Sequence, residues 1–418
     1  MKSIGGVQAP LLILAALNGL SFGVIVTVLA PYMYSAGFSG TEWGLLTSTA
    51  TVTSIIFTLL SGPLSDALGA RRVVAAGYIV KAASFTLLAV PSTMFMAAGF
   101  TLSGVSMGIS WSATTALVAR SGRDEMLHRS FTFFMASNMV GGALGSLMGI
   151  IPPLLSSITS LTLLEAYRAT ILLVAPLSLL QAGIALAVRE EVSAEGRASI
   201  GPGELLRGFR EAVSDRRFRL LILFNMVIGL GASMSIHNIA YYFAAKYGVT
   251  SAEIGVVNAL EQVSMAVVAV GASRIAERVG STLKVYITLT SLSVPLLVAM
   301  TLVDSYMVAA AIYVVRTVLM NAANPLLEAL TMRVVPRERR GSASSILSLS
   351  FTLPATAGRA MGGALLDINL ELPLRLTAAI YALALAHLYM RRRFLEEGRA
   401  WGSRRVAGEL LEEARAPQ

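Results

Sequence analysis

Four ionisable side chains stand isolated inside long apolar runs: Lys81, Glu261, Arg316 and Arg359. A charge among Val, Leu and Ala is costly to keep, so it points to an ion pair, a carried proton or a charged ligand. Glu261 lies eight residues into its run, with Asn258 and Gln262 near its face. At 1.5 Å per residue that is about 12 Å deep, and Arg316 is about 15 Å down its own run. Glu261 is therefore expected to pair with Arg316 or Arg359, leaving one cation in excess to meet an anionic group or to switch partners. The plain alternative is a structural salt bridge. Glu261 is also a candidate proton carrier, because a carboxyl group drawn into a helix bundle can exchange a proton with solvent. Lys81 has no acid at its depth in its own half and is read as a lysine turned inward onto carbonyl oxygens, with a direct solute contact as the alternative.

Uncharged polar residues form a second pattern. Residues three, four, seven or eleven apart share a helix face, and Tyr306, Tyr313, Thr317, Asn321, Asn324 and Glu328 fall in one such stripe. A polar stripe along a whole span is poorly placed against lipid and is read as lining a cavity, with helix-to-helix contact as the alternative. Ser235, Asn238, Tyr241 and Tyr242 repeat the theme, and Asn18 and Ser21 offer a shorter version. The hydroxyl stripe Thr47, Thr51, Ser54, Thr58 and Ser61 and the small-residue stripe Asn138, Gly142, Gly145 and Gly149 read as close-packing surfaces.

These residues must be positioned by membrane helices. The chain has 418 residues, 55% of them hydrophobic and only 14% charged, against roughly 45–50% apolar in ordinary globular domains. The excess falls in twelve runs near 10–33, 43–64, 72–90, 93–119, 131–153, 168–188, 219–244, 253–273, 284–303, 306–332, 341–366 and 372–391, each long enough to cross a bilayer as a helix. The first reads as a retained helix, being too long for a signal-peptide core. The net charge of +9 follows the loops. If the N-terminus is cytoplasmic, the outside loops hold only Arg168, Lys246 and Arg375, so both termini are expected in the cytoplasm. The basic balance is thus an orientation signal and not a nucleic-acid footprint. No cysteine is present, His128, His237 and His387 are scattered, and no phosphate-cradling nucleotide loop occurs, so metal, thiol and ATP-driven chemistry are not expected. No cofactor is expected.

The two halves align at an offset of 211 residues: Gly37 on Gly248, Glu42 on Glu253, Gly44 on Gly255, Asp66 on Glu277 and Gly69 on Gly280. Later, Gly145-x-x-x-Gly149 matches Gly358-x-x-x-Gly362. Six spans per half make a parallel repeat, the architecture of a transporter with its solute between the halves. The expected division is a bundle over 1–188, a cytoplasmic loop over 189–218, a second bundle over 219–391 and a tail over 392–418.

The loop Gly62-Pro63-Leu64-Ser65-Asp66-Ala67-Leu68-Gly69-Ala70-Arg71-Arg72 resembles the major facilitator superfamily signature G-x-L-A-D-R-x-G-R-R. A second copy, Ser273-Arg274-Ile275-Ala276-Glu277-Arg278-Val279-Gly280, stands at the equivalent place. The resemblance covers essentially the whole chain and implies an all-α fold of two six-helix bundles rocking about a central cavity. It also implies that the third, sixth, ninth and twelfth spans lie outside. In physical terms the glycines permit a tight turn and close helix approach, the acid caps a helix or pairs with a base, and the arginines hold the loop at the surface. The chain departs from the family where Ala67 replaces the arginine, where Phe100 stands at the fourth-span arginine position, and where Ser146 replaces the proline of the fifth-span antiporter pattern.

The expected function is a secondary transporter of a small organic solute, working as a proton-coupled monomer in the cell membrane. A multidrug exporter is the second reading. An intramembrane enzyme lacks converging catalytic groups, and a membrane sensor lacks a sizeable soluble domain.

Overall fold

The protein is described by a computed structural model over residues 3–4, 7–121, 127–188, 215–279, 281–335 and 340–396. Helices occupy all twelve expected runs, numbered here as first to twelfth spans. In the first half they are Ala9–Ser35, Gly40–Leu68, Ala70–Leu88, Thr93–Ser121, Leu127–Leu147 continued by Ile151–Ile158, and Leu163–Ala187. In the second half they are Arg216–Ser235 continued by Ile239–Tyr247, then Ser251–Val279, Thr282–Thr301, Tyr306–Val334, Arg340–Ile368 and Leu372–Met390. Among the described residues nine are long and apolar enough to cross a membrane. The other three, the third, eighth and eleventh, hold Lys81, Glu261 and Arg359 and are packed among the nine.

Two spans expected as single helices are interrupted. The fifth passes through a 3₁₀ turn at Met148–Ile150, after which Pro152 and Pro153 open a new helix; neither has an N–H to continue the old one. The seventh breaks at Ile236–Asn238. Here the Asn238 side-chain amide donates to the Met234 carbonyl at 3.1 Å and the Ser233 carbonyl at 3.4 Å, competing for oxygens that helical N–H groups would use.

The sequence repeat is a structural one. Gly37 and Gly248 both take positive φ, 84° and 65°, a conformation a side chain resists. Each is followed by a capping pair: Ser39 with Glu42 at the second span, and Thr250 with Glu253 at the eighth. Such reciprocal caps satisfy the first free N–H groups of a helix. Packing repeats as well. The first span packs on the fifth and sixth, the second on the fourth, and the third on the fourth and sixth; the seventh, eighth and ninth make the equivalent contacts in the other bundle. The sixth, ninth and twelfth spans turn Leu172, Leu173, Leu179, Leu180, Leu292 and Leu383 outward, an apolar exterior suited to lipid.

Glycines set the closest approaches. A Cβ at Gly141 or Gly145 would overlap the carbonyls of Ala16 and Leu20 on the first span, and one at Gly358 or Gly362 those of Leu230 and Met234 on the seventh. Gly149 lies beside Thr27 and Gly362 beside Asn238, positions related by the 211-residue offset, so Gly145 and Gly149 match Gly358 and Gly362 as the sequence alignment places them; Gly149 also meets Ser251 across the bundles.

Candidate functional site

The bundles touch along two seams, the second span against the eleventh and the fifth against the eighth, with the first span meeting the seventh and eighth between them. On the first seam Asp367 accepts from the Gly40 N–H at 2.6 Å, the Thr41 N–H at 2.8 Å and the Thr41 hydroxyl at 2.6 Å. Deeper in, Trp43 Nε1 donates to Asn238 Oδ1 at 3.0 Å, Ser48 to the Thr356 carbonyl at 2.9 Å, and Arg359 Nη1 to Thr51 Oγ1 at 2.8 Å. On the second seam Ser251 donates to the Gly149 carbonyl at 2.6 Å, Asn258 to Thr27 at 3.1 Å and Gln262 to Ser146 at 3.0 Å. Thr51 and Gln262, the innermost members, are themselves related by the 211-residue offset. Among the described residues, every inter-bundle hydrogen bond lies between them and the ends of the bundles remote from the chain termini. Aromatic rings thicken this closed end: Trp43 lies nearly parallel to Tyr241 at 6.2 Å, and Tyr34 stands edge-on to the same ring.

Below this closure lie the buried Arg316 and the half-buried Glu261 and Arg359. Glu261 accepts from the Tyr313 hydroxyl at 3.4 Å, and Arg316 is within electrostatic range of the same carboxylate. No ion pair joins Glu261 to Arg316 or Arg359 among the described residues; the Tyr313 hydroxyl holds the acid, and Arg359 reaches to Thr51 in the other bundle. The direct pair expected from matched depth is replaced by a looser cluster, because side-chain direction as well as depth decides who meets whom. Arg316 is 3% exposed and stands 5.9 Å from the Tyr381 ring centre.

The tenth-span stripe runs as a gradient. Tyr306, Tyr313 and Thr317 are partly or fully buried, Asn321 is half-buried, and Asn324 and Glu328 are exposed. Tyr306 and Tyr313 both stand edge-on to Phe243, which seals the upper part of the stripe. Asn238 is buried and saturated by its seam and helix-break contacts. Tyr242 turns from the seam to donate to the Met300 carbonyl at 3.3 Å, whereas Tyr241 bonds the Phe38 carbonyl across the bundles at 2.8 Å. Asn18 accepts from Lys81 Nζ at 3.2 Å, and that ammonium also faces the rings of Tyr78 and Phe85; the oxygen it finds is a side-chain amide, not the backbone carbonyl expected.

In the signature loop, Gly69 takes φ 85° and makes the turn between the second and third spans. Nothing lies within 4 Å of a Cβ built at Gly62, so the close approach expected there is absent. Asp66, Arg71 and Arg72 are exposed at the turn. In the second copy Arg278 is exposed, while the side chain of Glu277 and the whole of Gly280 lie outside the described residues, as does most of 189–218 and 392–418.

Two site residues escaped the sequence. His237 is exposed at the break of the seventh span, within electrostatic range of both Arg359 and Arg316; its Nδ1 pairs with the Ser233 hydroxyl at 3.1 Å. As one of three scattered histidines it carried no pattern, and its signal was its place at the break of the seventh span. Asp367 belongs to no sequence pattern, and only its partner 327 residues away gives it a role.

Two matched six-helix bundles, closed at one end and lined with polar groups toward the other, define a membrane transporter. The sequence model of the Major Facilitator Superfamily matches residues 11–237 and again 221–415. The chain belongs to that superfamily. No curated protein matches it. Among solved structures it is similar to a bacterial homologue of the human lysosomal transporter Spinster in an inward-facing, unoccupied conformation. That pair shares 16% identity over 93% of this chain and 96% of the other, with a TM-score of 0.74. The nucleoside transporter NupG gives 14% identity, 91% and 98% coverage and a TM-score of 0.74. At such identities the likeness is one of fold.

Proposed function

We propose that the protein is a secondary transporter that moves a small organic solute by alternating access, coupled to protons and acting as a monomer without a cofactor. The bundles are assigned to 1–188 and 219–391, joined by a cytoplasmic loop over 189–218 and followed by a tail over 392–418. Loop charge supports placement in the cell membrane with both termini in the cytoplasm, so the closed end faces outward.

The observation that carries this reading is the one-sided closure. Among the described residues, bonds between the bundles stop at Thr51 and Gln262, while Asn324 and Glu328 beyond them are exposed. This is the geometry of an inward-open state, the state named for the Spinster homologue. For coupling, Glu261 is the proposed proton site and Arg316 the cation within its range. A multidrug exporter is the second reading and is the less favoured, because the buried cluster holds more cation than acid while cationic drugs require the reverse.

The test is solute counterflow in sealed vesicles containing the purified chain, with a metabolite panel and no ATP. Accelerated exchange of a labelled solute by its unlabelled form is expected; its absence across a broad panel, with correctly inserted protein, removes the transporter mechanism proposed here.

A further inference from the structure

Two guanidiniums lie within electrostatic range of one imidazole in the second bundle, Arg316 and Arg359 around His237, and Arg316 is also within range of the Glu261 carboxylate. Arg359 spends one Nη on Thr51, but its buried Nε has no partner among the described residues. In Arg316 the two unpartnered buried nitrogens are Nε and Nη2. Those two form one side of the guanidinium, the edge that presents two parallel N–H groups to a carboxylate or phosphate. A buried donor left without an acceptor is costly, and here three such donors belong to cations. One carboxylate, already accepting from Tyr313, cannot balance two guanidiniums.

We propose that the solute is an organic anion whose carboxylate or phosphate group is bound by Arg316 and Arg359, with His237 facing it from the break in the seventh span. The inference rests on the transporter reading and narrows it to a solute class. Arg359 gives the site a mechanical consequence. It lies on the eleventh span and holds the second span through Thr51, so an anion drawing its guanidinium toward Arg316 acts directly on an inter-bundle contact. Neutral and cationic solutes have no equivalent hold on the cluster.

The experiment measures thermal stability of the purified full-length chain in detergent. Acetate, benzoate and methyl phosphate are titrated against chloride at equal ionic strength, with uridine and choline as neutral and cationic comparisons. A saturable rise in Tm with at least one of the three anions is expected, since a ligand of the native state stabilises by mass action, with no change for uridine or choline. Response to acetate and benzoate alone assigns a carboxylate, and to methyl phosphate alone a phosphate. In Arg316→Gln and Arg359→Gln the apparent affinity should fall about tenfold or more, the loss of a charge-assisted contact. Where a Gln variant does not melt cooperatively, Arg316→Lys, which keeps the charge and loses the two-donor edge, should weaken binding likewise.

Equal stabilisation by uridine or choline, no anion effect beyond chloride, or undiminished anion binding in the variants would each overturn the proposal. The two readings fail separately. Counterflow of a neutral or cationic solute removes the anion class and keeps the transporter, whereas saturable anion binding without any counterflow keeps the site and removes the transport mechanism.

Discussion

The Asp367 carboxylate accepts the backbone N–H of Gly40 at 2.6 Å, so the end of the eleventh span caps the first turn of the second, in the other bundle. Free N–H groups at a helix N-terminus favour a carboxylate by both hydrogen bonding and dipole. Here such a cap is made between the two bundles and not within one helix.

Asp367→Asn removes the charge and keeps the shape. Losing a cap costs about 0.5–2 kcal/mol, so the closed fraction at that end should fall several-fold. The chain has no cysteine, so spin labels at Ser160→Cys and Leu302→Cys report the gap between the bundles. A longer-distance population should grow in the variant; an unchanged distance distribution removes Asp367 from the closure.

Gly44 tests closure by bulk instead of charge. A Cβ there would stand 2.5 Å from the Arg359 carbonyl and 2.9 Å from Gly363 Cα, both backbone and unable to give way cheaply. Gly44→Leu should hold the seam apart, with the labelled distance long and counterflow reduced tenfold or more, on the order of 1–3 kcal/mol of overpacking. Normal counterflow in this variant would show that the seam never closes so tightly during transport.

For coupling, Glu261→Gln keeps the acceptor for Tyr313 and removes the exchangeable proton. Wild-type uphill uptake should increase as the outside is acidified, and the variant should show flat, downhill-only exchange. A pH dependence that survives the substitution excludes Glu261 as the carrier. In the double variant Glu261→Arg with Arg316→Glu, full restoration of transport would mark the pair as structural.

Lys81 and Asn18 separate a stabilising contact from a transport contact. Asn18→Leu leaves the ammonium without its oxygen and should lower stability by about 1–3 kcal/mol. Lys81→Met fills similar volume without charge, so the melting temperature should hold or rise and transport should persist. Loss of transport in a stable Lys81→Met protein would instead place the lysine on the solute path.

Much of the fold is legible in the chain because apolar length and loop charge are local properties. The twelve runs, the break-prone Pro152-Pro153, the paired Gly37 and Gly248 and the two capping pairs are all set by a few neighbouring residues. Hydroxyls of the second span behave likewise: Thr47, Thr51 and Thr58 bond carbonyls four residues back in their own helix. The candidate site is harder. Helical periodicity put Asn321, Asn324 and Glu328 on one stripe, but it could not tell that the upper stripe is sealed against Phe243 or that Tyr242 points to the ninth span.

What the sequence by itself determined is therefore one-dimensional: which segments are apolar, which ends carry arginine, and that the second half repeats the first. The tertiary structure decided which side chains meet. Asp367 with Gly40, Arg359 with Thr51, and His237 with both arginines are encounters across spans, fixed by the crossing of helices at glycine contacts such as Gly44 with Gly363. Helix rotation and tilt come from packing against neighbouring helices, so no reading along a single segment could have supplied them.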